Sequence, residues 1–430
     1  MRDQQCAGDP VLAASCSRRQ ALNRFAGWGS VAGLSALLPA CGGGSEDLAT
    51  EAPAQAAATE AAQNLAVAEY AEALPETQTL HTGLNQPWGL AFLPDRRMLV
   101  TEKVGRLRLL SPDGSRMSTV SGVPTARLQT TGHGGLLDVQ AESVGGDIWV
   151  YLSYAERGSG GEYNRAGTAV ARARLVGTAL RDFTVIFRSS FKYPVKVSRF
   201  HYGSRLLLAP NNKLFISVGE GRADSLRDQA QALGSHLGKI LRVNRNGSVP
   251  TDNPFVGRAG AKPEIWSLGH RNPQGLALHP ATGEIWSTEH GPQGGDELNI
   301  IQRGHNYGWP RISYGCEYGT PPATCTVVGG QTSAPGLDQP VTQWGRVRIA
   351  PSGIVFCDGS MFPEWKNHLF IACLGGKELW RVVLDGRRVV SRTRMLDNMG
   401  RRFRHVRQAP DGSLLILTDE DNGRILRIAR

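Results

Sequence analysis

The sequence predicts an all-β fold, a six-bladed β-propeller of four-stranded antiparallel blades that covers residues 80–430. In this range the chain shows few long helical periods, and one hairpin pattern returns six times: an apolar run, a turn built on Pro, Asp, Asn or Gly, and a second apolar run that in most copies ends in an acid. The turns fall near residues 94, 143, 210, 281, 360 and 411. Their period of roughly 60 residues has room for about four short strands, as in a propeller blade. A large β-sandwich is the alternative fold, but it leaves the regular return of one hairpin unexplained.

The copies can be read directly from the chain. Four are clear: GLAFLPDRRMLVTE, RLLLAPNNKLFISVGE, GLALHPATGEIWSTE and VRQAPDGSLLILTDE. Two are looser: GLLDVQAESVGGDIWVYLSYAE and GIVFCDGSMFPEWKNHLFIACL. If every turn lies at one face of the propeller, the residues before the first strand and at the end of the second strand lie at the opposite face.

Polar side chains occupy these positions and are predicted to converge on one mouth of the central channel. A ring of cations and imidazoles at a channel mouth suits an anionic ligand. The alternative is that hairpin ends are polar because they are exposed, which explains the acids better than the recurrence of Arg and His. The strand starts carry His133, His201, Arg271, Asn272, Arg402 and Arg404, and the strand ends carry Glu102, Glu220, Glu289, His290, Asp419 and Glu420.

The charge of the chain is unevenly distributed. The 430 residues include 48 Lys and Arg against 38 Asp and Glu, a net charge of +10. Residues 42–79 hold seven acids and no Lys or Arg, so residues 80–430 carry 44 bases and 29 acids, or +15. This field attracts anions. Because residues 80–430 contain no run of Lys and Arg interleaved with aromatics, we expect no nucleic-acid partner.

The N-terminal segment has the features of an export signal. Ser17-Arg18-Arg19 precedes an uncharged stretch from Phe25 to Ala40 that is short for a membrane span. Residues 1–40 are therefore predicted to be a signal peptide of the twin-arginine, lipoprotein type, with Cys41 as a lipidated N-terminus. An ordinary signal peptide cut near Ala40 is the alternative. Residues 41–79, rich in Ala and Glu, are predicted to be a flexible tether, which places the mature protein in the periplasm with membrane contact only through Cys41.

Export changes the interpretation of the cysteines. Of the seven, four lie in the predicted propeller, where an oxidising compartment allows three pairings. The favoured bridge joins Cys316 to Cys325, which closes a short loop containing Pro and Gly. The close spacing of a zinc site is absent between Cys316 and Cys325 and between Cys357 and Cys373.

The segment from Leu268 to Pro310 is the richest in polar and glycine residues. Its turn GPQGGDE offers carboxylates and main-chain carbonyls within seven residues, the ligands that calcium prefers. The spacing differs from that of a helix-loop-helix calcium site, so a turn with a solvated Asp296-Glu297 pair remains an alternative.

Six motifs together resemble the glucose and sorbosone dehydrogenase family. They are FHYGSRL, LGHRNPQGLAL, EHGPQGGDELN, HNYGWP, IAPSG and RRFRHV, and they occur in the family's order across residues 80–430. Members are six-bladed propellers that bind pyrroloquinoline quinone (PQQ) and calcium, and the nearest branch is the periplasmic aldose sugar dehydrogenases. The resemblance implies oxidation of an aldose to its lactone, with an electron acceptor that the sequence does not identify.

The resemblance also implies roles for individual residues. His201 would be the catalytic base while a hydride passes to the quinone, and Arg271 would stabilise the negative charge that develops there. Two calcium ions are implied, one at the cofactor and one structural. The implied cofactor-binding residues are His133, Glu220, Arg271, Asn272, His290, Lys377, Arg402 and Arg404. The implied calcium ligands are the carbonyls of Gly291 and Pro292 for the first ion, and Glu297 with the carbonyl of Tyr307 for the second.

The chain departs from the family pattern at three positions. His133 replaces a Gln or Glu, His290 stands where relatives place a Gln, and Gly375 replaces a cofactor-binding Lys, with Lys377 two residues on. The changes at His133 and Gly375 support one alternative, a surface propeller without catalytic activity. A second alternative is a calcium-dependent, lactonase-like propeller hydrolase, because six-bladed lactonases also place a metal and His at a channel mouth.

Overall fold

The computed structural model describes residues 68–71, 76–190 and 192–430. The predicted signal peptide, Cys41 and residues 42–67 of the predicted tether lie outside the described residues. Within the remaining tether range, residues 68–71 and residues from 77 onward belong to strands. None of the helices in the described part of the chain combines the length and the apolar character needed to cross a membrane.

The strands form six sheets that correspond to six blades, so the predicted fold is confirmed. Blade 1 contains β3 (Pro87–Phe92), β4 (Met98–Glu102), β5 (Arg106–Leu110) and β6 (Met117–Val120). Blade 2 contains β7 (Leu136–Val144), β8 (Asp147–Arg157), β9 (Arg165–Val176) and β10 (Ala179–Arg188), with β11 (Tyr193–Pro194) paired to β9. Blade 3 contains β12 (Leu206–Ala209), β13 (Lys213–Val218), β14 (Lys239–Asn244) and β15 (Ile265–Leu268).

The remaining three blades complete the ring. Blade 4 contains β16 (Pro273–Leu278), β17 (Ile285–Glu289), β18 (Glu297–Ile301) and β19 (Thr342–Gln343). Blade 5 contains β20 (Pro351–Phe356), β21 (Leu369–Cys373), β22 (Leu379–Asp385) and β23 (Arg388–Met395), with β1 (Ala68–Ala71) added in parallel to β23. Blade 6 contains β24 (Phe403–Gln408), β25 (Leu414–Thr418), β26 (Gly423–Ile428) and β2 (Thr77–Leu84). Short 3-10 helices cover Thr125–Arg127, Gly160–Glu162, Asp224–Ala230, Pro363–Trp365 and Asp397–Met399.

The two ends of the propeller meet in blade 6. The early strand β2 pairs antiparallel with β26, the last strand of the chain, so the N-terminal part of the propeller closes the ring. The first strands of successive blades contact one another in the order β3, β7, β12, β16, β20 and β24, and β24 returns to β3. These six inner strands therefore surround the central channel, and blade 3 lies across it from blade 6.

All six predicted turns join the two inner strands of a blade. The turn between β12 and β13 uses Asn211 and Asn212, both with positive φ, and the turn between β7 and β8 uses Gly145 and Gly146 in the same way. Two successive residues with positive φ match the right-handed twist of a hairpin, which explains why Asn and Gly occupy these places. The turns mark one face of the ring, and the starts of the inner strands mark the other.

Packing between blades explains why the inner strands are apolar on both sides. Leu137 and Tyr151 of blade 2 lie in one buried cluster with Leu206 and Ile216 of blade 3. Complete burial of each such side chain contributes about 1.5–3 kcal/mol. A strand between two neighbouring blades has no solvent face, so its sequence reads as a continuous apolar run.

The predicted disulfide bond between Cys316 and Cys325 is confirmed. Cys357 and Cys373 are buried free thiols in blade 5. The disulfide closes a loop at the mouth of the channel, next to Tyr318.

Candidate functional site

A cavity of about 450 Å³ opens at the mouth formed by the starts of the inner strands. Its walls come from loops of all six blades, and its most frequent side chains are those of Arg, with four, and His, with three. We call it the cationic cavity. Its lining residues are Gln86, Trp88, Lys103, His133, Leu137, His201, Tyr202, Gly203, Arg222, Gln274, His290, Tyr318, Arg348, Ala350, Leu374, Gly375, Arg402, Arg404 and Asp419.

His201 and Glu220 form a buried pair in the wall contributed by blade 3. The His201 Nδ1 atom lies 2.7 Å from Glu220 Oε1, and His201 is only 3% exposed. Burial lowers the pKa of His201 well below its ordinary value, and the charges of Arg271 and Arg222 lower it further. The imidazole is therefore neutral. When Nδ1 donates its proton to the carboxylate, Nε2 is left as an acceptor on a residue that lines the cavity.

The backbone around His201 is fixed by close packing. His201 has φ of 53°, and Asn272 Oδ1 accepts a hydrogen bond from the Gly203 N–H at 3.2 Å. Gly219 passes so close that a Cβ atom there would lie 2.3 Å from the His201 carbonyl oxygen. Position 219 therefore requires glycine. The Asn272 side chain lies behind the cavity wall rather than on its surface.

Burial raises the pKa of Glu220 to about 7, although Arg271 and the Arg222 main-chain N–H oppose the shift. The Glu220 main-chain N–H donates to the Arg271 carbonyl at 2.9 Å. Glu220 Oε2 is buried without a hydrogen-bond partner among the described residues. Glu220 thus lies behind His201, where it can fix the tautomer of the ring.

Three imidazoles meet in the cavity. The rings of His133 and His201 lie 5.9 Å apart and nearly parallel, and His133 also contacts the edge of Phe200. Burial lowers the pKa values of His133 and His290 well below the ordinary range, and the neighbouring imidazoles add to the effect. His290 Nε2 is buried and lacks a partner within the described chain. The three rings are neutral hydrogen-bonding groups, so they add no charge to the cavity.

Arg402 and Arg404 of blade 6 share one carboxylate. Arg404 donates to Asp419 Oδ1 at 3.1 Å, and Arg402 donates to Asp419 Oδ2 at the same distance. Burial would raise the pKa of Asp419, but the two guanidinium groups lower it to about 2. Two arginines on one carboxylate leave guanidinium donors for an anion in the cavity.

Three further cations line the cavity: Lys103, Arg222 and Arg348. The motif analysis missed them. Lys103 directly follows the strand-end residue Glu102, and Arg222 follows Glu220 by two residues, so extending each strand end by two positions would have identified both. The cavity wall therefore carries five cations and one carboxylate.

A second, smaller cavity of about 10 Å³ adjoins the first and shares His290 with it. We call it the carboxylate pocket. Its lining includes the four predicted calcium-binding residues, Gly291, Pro292, Glu297 and Tyr307. Burial raises the pKa of Glu289 to about 7, and burial with the facing Glu289 raises that of Glu297 well above its ordinary value.

Two buried carboxyl groups that face each other are the donor set of a cation site. Among the described residues, no group of three or more His, Cys, Asp or Glu side chains is arranged to hold a metal ion. A cation bound in the carboxylate pocket would therefore also need main-chain carbonyls. Asp296 fixes the turn that carries these carbonyls. Its carboxylate accepts hydrogen bonds from the main-chain N–H groups of Gly291 at 2.9 Å and Ala350 at 2.7 Å.

Arg271 lies between the two cavities. It is buried, and its Nη1 atom donates to the carbonyl oxygens of His290 at 3.0 Å and Gly291 at 2.5 Å. The Gly291 carbonyl, one predicted calcium ligand, is therefore already engaged by a cationic group. Arg271 Nε is buried without a partner in the described part of the chain.

The structure brings most of the predicted site residues together. His133, His201, His290, Arg402 and Arg404 line the cationic cavity, and Glu220, Arg271 and Asn272 lie directly behind its wall. Lys377 is exposed and is absent from the cavity lining, where Gly375 is found instead. Two predicted mouth residues also lie elsewhere: Glu102 binds Arg106 and Arg108, and Glu420 binds Arg401.

Comparisons with known proteins agree with these observations. The family model for glucose/sorbosone dehydrogenases matches residues 84–427. The aldose sugar dehydrogenase YliI of Escherichia coli is 39% identical over 366 residues, which are 84% of this chain and 94% of the relative. A crystal structure of a glucose dehydrogenase is 44% identical with a TM-score of 0.76, and the match covers 83% of this chain and all of that one.

A PQQ-bound structure of an aldose sugar dehydrogenase from Streptomyces coelicolor also superposes on this chain. It is 27% identical with a TM-score of 0.66, and the match covers 84% of this chain and all of that one. The family match spans the whole propeller and includes every motif that indicated the resemblance. The chain therefore belongs to the glucose/sorbosone dehydrogenase family.

Proposed function

We propose that this protein oxidises aldose sugars to their lactones with PQQ as the electron acceptor in the cavity, calcium as the metal, and His201 as the general base. Membership of the family makes the chain a sugar dehydrogenase, an oxidoreductase. The observation that carries the finer proposal is the buried His201–Glu220 pair, which leaves one neutral imidazole nitrogen for a cavity lined by five cations.

His201 Nε2 takes the proton of the hydroxyl group on the anomeric carbon. Glu220 holds the ring in the required tautomer by accepting the Nδ1 proton, and it stabilises the imidazolium that forms. Because burial keeps the free imidazole neutral, the base is ready at working pH. The sugar loses the proton of its anomeric hydroxyl group to His201 and a hydride from the anomeric carbon to the electron acceptor. Loss of these two hydrogens converts the hydroxyl-bearing carbon into the carbonyl carbon of the lactone.

The residues of the cationic cavity fit a flat, anionic cofactor. PQQ, when bound, supplies a two-electron acceptor for the hydride. Its three carboxylates match the excess of cations, and Arg402 and Arg404 present guanidinium groups that bind carboxylates in two-pronged fashion. Trp88 and Tyr318 supply apolar surface for the faces of its ring system. The predicted cofactor ligands Arg271 and Asn272 lie behind the wall, where Arg271 binds the carbonyls of His290 and Gly291 and Asn272 fixes the backbone next to His201.

His133 and His290 would donate or accept hydrogen bonds at the cofactor, since both are neutral and line the cavity. Lys377 would contribute only as a cation outside the cavity, because Gly375 rather than Lys377 lines the cavity wall. The carboxylate pocket fits a structural calcium ion, held by Glu297 and the carbonyl of Tyr307. Gly291 and Pro292 would offer carbonyls to a second ion next to the cofactor, and the Gly291 carbonyl would then use one lone pair for the ion and the other for Arg271.

Two alternatives lack such support. A propeller hydrolase gives no role to the five cations, and a binding propeller gives none to the buried His201–Glu220 pair. The location follows from the N-terminal sequence: we expect an exported, periplasmic protein anchored by a lipid on Cys41. Labelling of the wild-type chain with a radioactive fatty acid, and loss of the label in Cys41→Ser, tests the anchor.

Reconstitution tests the activity. The purified propeller, residues 76–430, is mixed with PQQ and calcium, and reduction of a dye is followed with a panel of aldoses. We expect reduction that requires the sugar and both additions. Dye reduction without PQQ, or hydrolysis of lactones that needs calcium alone, would contradict the proposal.

A further inference from the structure

Arg222 is a cation in the cavity wall to which the proposed mechanism assigns no step. Its guanidinium carbon lies 4.8 Å from the ring centre of Phe200 and 4.8 Å from that of Tyr318. Two aromatic rings at equal distance hold the guanidinium group in one place by cation–π contacts. The residue is exposed on its remaining side and has no ion pair within the described residues.

The loops that carry these rings are themselves held firmly. Phe200 directly precedes His201, and Tyr318 follows the disulfide bond of Cys316 by two residues. Arg227 binds the neighbouring Glu317, with Nη2 donating to Oε2 at 2.8 Å. Arg222 itself has φ of 56° and follows Glu220, the partner of His201, by two residues. The guanidinium group is therefore preorganised on the same wall as the His201 base.

Arg222 is also on the wrong side of the channel to serve the carboxylates bound by Arg402 and Arg404. It follows β13 of blade 3, whereas those arginines belong to blade 6, across the ring. The charge balance points the same way. Five cations and one carboxylate line the cavity, so the three carboxylates of PQQ would still leave at least one positive charge without a partner, even before a calcium ion is counted.

We propose that Arg222 selects anionic aldoses, which carry a carboxylate or a phosphate remote from the anomeric carbon. This inference rests on the proposed function and narrows its substrate class. The reacting carbon must lie at His201, so a charged group at the other end of the sugar is the part that can reach a fixed guanidinium group on the same wall. Arginine binds both carboxylate and phosphate in two-pronged fashion.

The test compares three sugars, D-glucose, D-glucuronate and D-glucose 6-phosphate, with the reconstituted enzyme at low ionic strength. We expect kcat/KM for at least one anionic sugar to exceed that for glucose at least tenfold, because only an anionic sugar can form a charge-assisted hydrogen bond with Arg222. The anionic sugar with the higher kcat/KM shows whether Arg222 prefers a carboxylate or a phosphate. Equal values for all three sugars would overturn the inference and leave the dehydrogenase proposal intact.

Variants locate the effect. Arg222→Gln should lower the preference for the anionic sugar, the ratio of its kcat/KM to that of glucose, roughly 10- to 100-fold through KM. Arg222→Lys should restore part of the preference. Arg199→Gln is the matched control, because Arg199 is an exposed cation near His201 that is absent from the cavity lining. Weaker PQQ binding in Arg222→Gln would assign Arg222 to the cofactor instead.

Calorimetry with the PQQ-loaded protein gives a readout that does not need turnover. Binding of the anionic sugar that is at least tenfold tighter than binding of glucose, and that Arg222→Gln abolishes, supports the inference. If no aldose is oxidised, the dehydrogenase proposal fails, and this titration still decides the role of Arg222. Equal binding of glucose and the anionic sugars, or binding unaffected by Arg222→Gln, would overturn it.

Discussion

The cationic cavity and the carboxylate pocket lie side by side, share His290, and are lined by groups of opposite kind. In the cavity five cations surround one carboxylate, and in the pocket the carboxyl groups of Glu289 and Glu297 face each other with raised pKa values. Like charges held close together favour a ligand of opposite sign, which is an anion in the cavity and a cation or a bound proton in the pocket. The same propeller end thus offers an anion site and a cation site a few residues apart.

This difference separates the two regions by the ligand that each can hold: the cavity can hold an organic ligand, and the pocket can hold a structural ion. The cavity holds about 450 Å³ and places the neutral His201 imidazole on its wall. The pocket is small, about 10 Å³, and its lining comes from two segments, residues 289–297 and 307–313, so it suits a small ion rather than an organic ligand. Arg271, which touches the carbonyls of His290 and Gly291, connects the two regions.

Removing the base should produce the largest effect. We expect His201→Ala to lower kcat by about 10²–10⁴, the range for loss of a positioned general base, while PQQ still binds. Stopped-flow dye reduction and a PQQ titration measure the two quantities. His305→Ala, at an exposed histidine paired with Asp338, serves as the control. Turnover of His201→Ala within a few fold of the parent would remove His201 from the mechanism.

Replacing Arg402 and Arg404 of the cavity should have the next largest effect. We expect the double variant Arg402→Gln, Arg404→Gln to weaken PQQ binding on the order of 100-fold, because charge-assisted hydrogen bonds are lost. Equilibrium titration followed by absorbance measures the dissociation constant. Arg388→Gln, an exposed arginine paired with Asp385 in blade 5, should change nothing. An unchanged constant in the double variant would mean that the anionic groups bind elsewhere.

The pH dependence should reveal Glu220. Its pKa is raised to about 7, so the carboxylate form is present above that pH and is lost as the pH falls through it. A protonated Glu220 no longer accepts the Nδ1 proton, so kcat/KM should fall about tenfold per pH unit below about 7. His201 stays neutral in this range because its own pKa is lowered. In Glu220→Gln the step near pH 7 should disappear, and an identical step in both proteins would assign it to another group.

Removing calcium should have the smallest of these effects, and the quantity measured is Tm. We expect a chelator to lower Tm by a few degrees, since a ligand at about 100 times its Kd stabilises the folded state by about 2.7 kcal/mol. Calcium, but not an equal concentration of magnesium, should restore it. Glu297→Gln should lose the calcium-dependent part, whereas Glu364→Gln, at a surface pair with Arg430, should keep it. Equal calcium sensitivity in both variants would place the ion outside the carboxylate pocket.

Much of the fold was predictable because a repeated hairpin is a local signal. The six turns, the six blades and the convergence of strand starts on one mouth follow from apolar runs and turn residues that recur every 60 residues or so. The disulfide bond was predictable for the same reason, since Cys316 and Cys325 are close in the chain. His201, Arg402 and Arg404 were found because they stand at the ends of such hairpins.

The direction of individual side chains was not predictable. Glu102 stands at a strand end like Glu220, but Arg106 and Arg108 bind it, so it contributes nothing to the cavity. Lys377 was expected to replace the cofactor lysine, yet the backbone at Gly375 fills that part of the wall. Loop conformations with positive φ, as at His201 and Arg222, decide these directions, and they depend on contacts made after the ring closes.

The sequence by itself therefore determined the repeat, the mouth that carries the polar groups, and the family of the protein. Only the tertiary structure decided which charges meet. Arg404 binds Gln274, 130 residues away, and Glu220 meets Arg271 only because blades 3 and 4 are neighbours in the ring. The physical reason is that a propeller joins residues far apart in the chain around one channel. The balance of charge there is a property of the closed ring and cannot be read from any single hairpin.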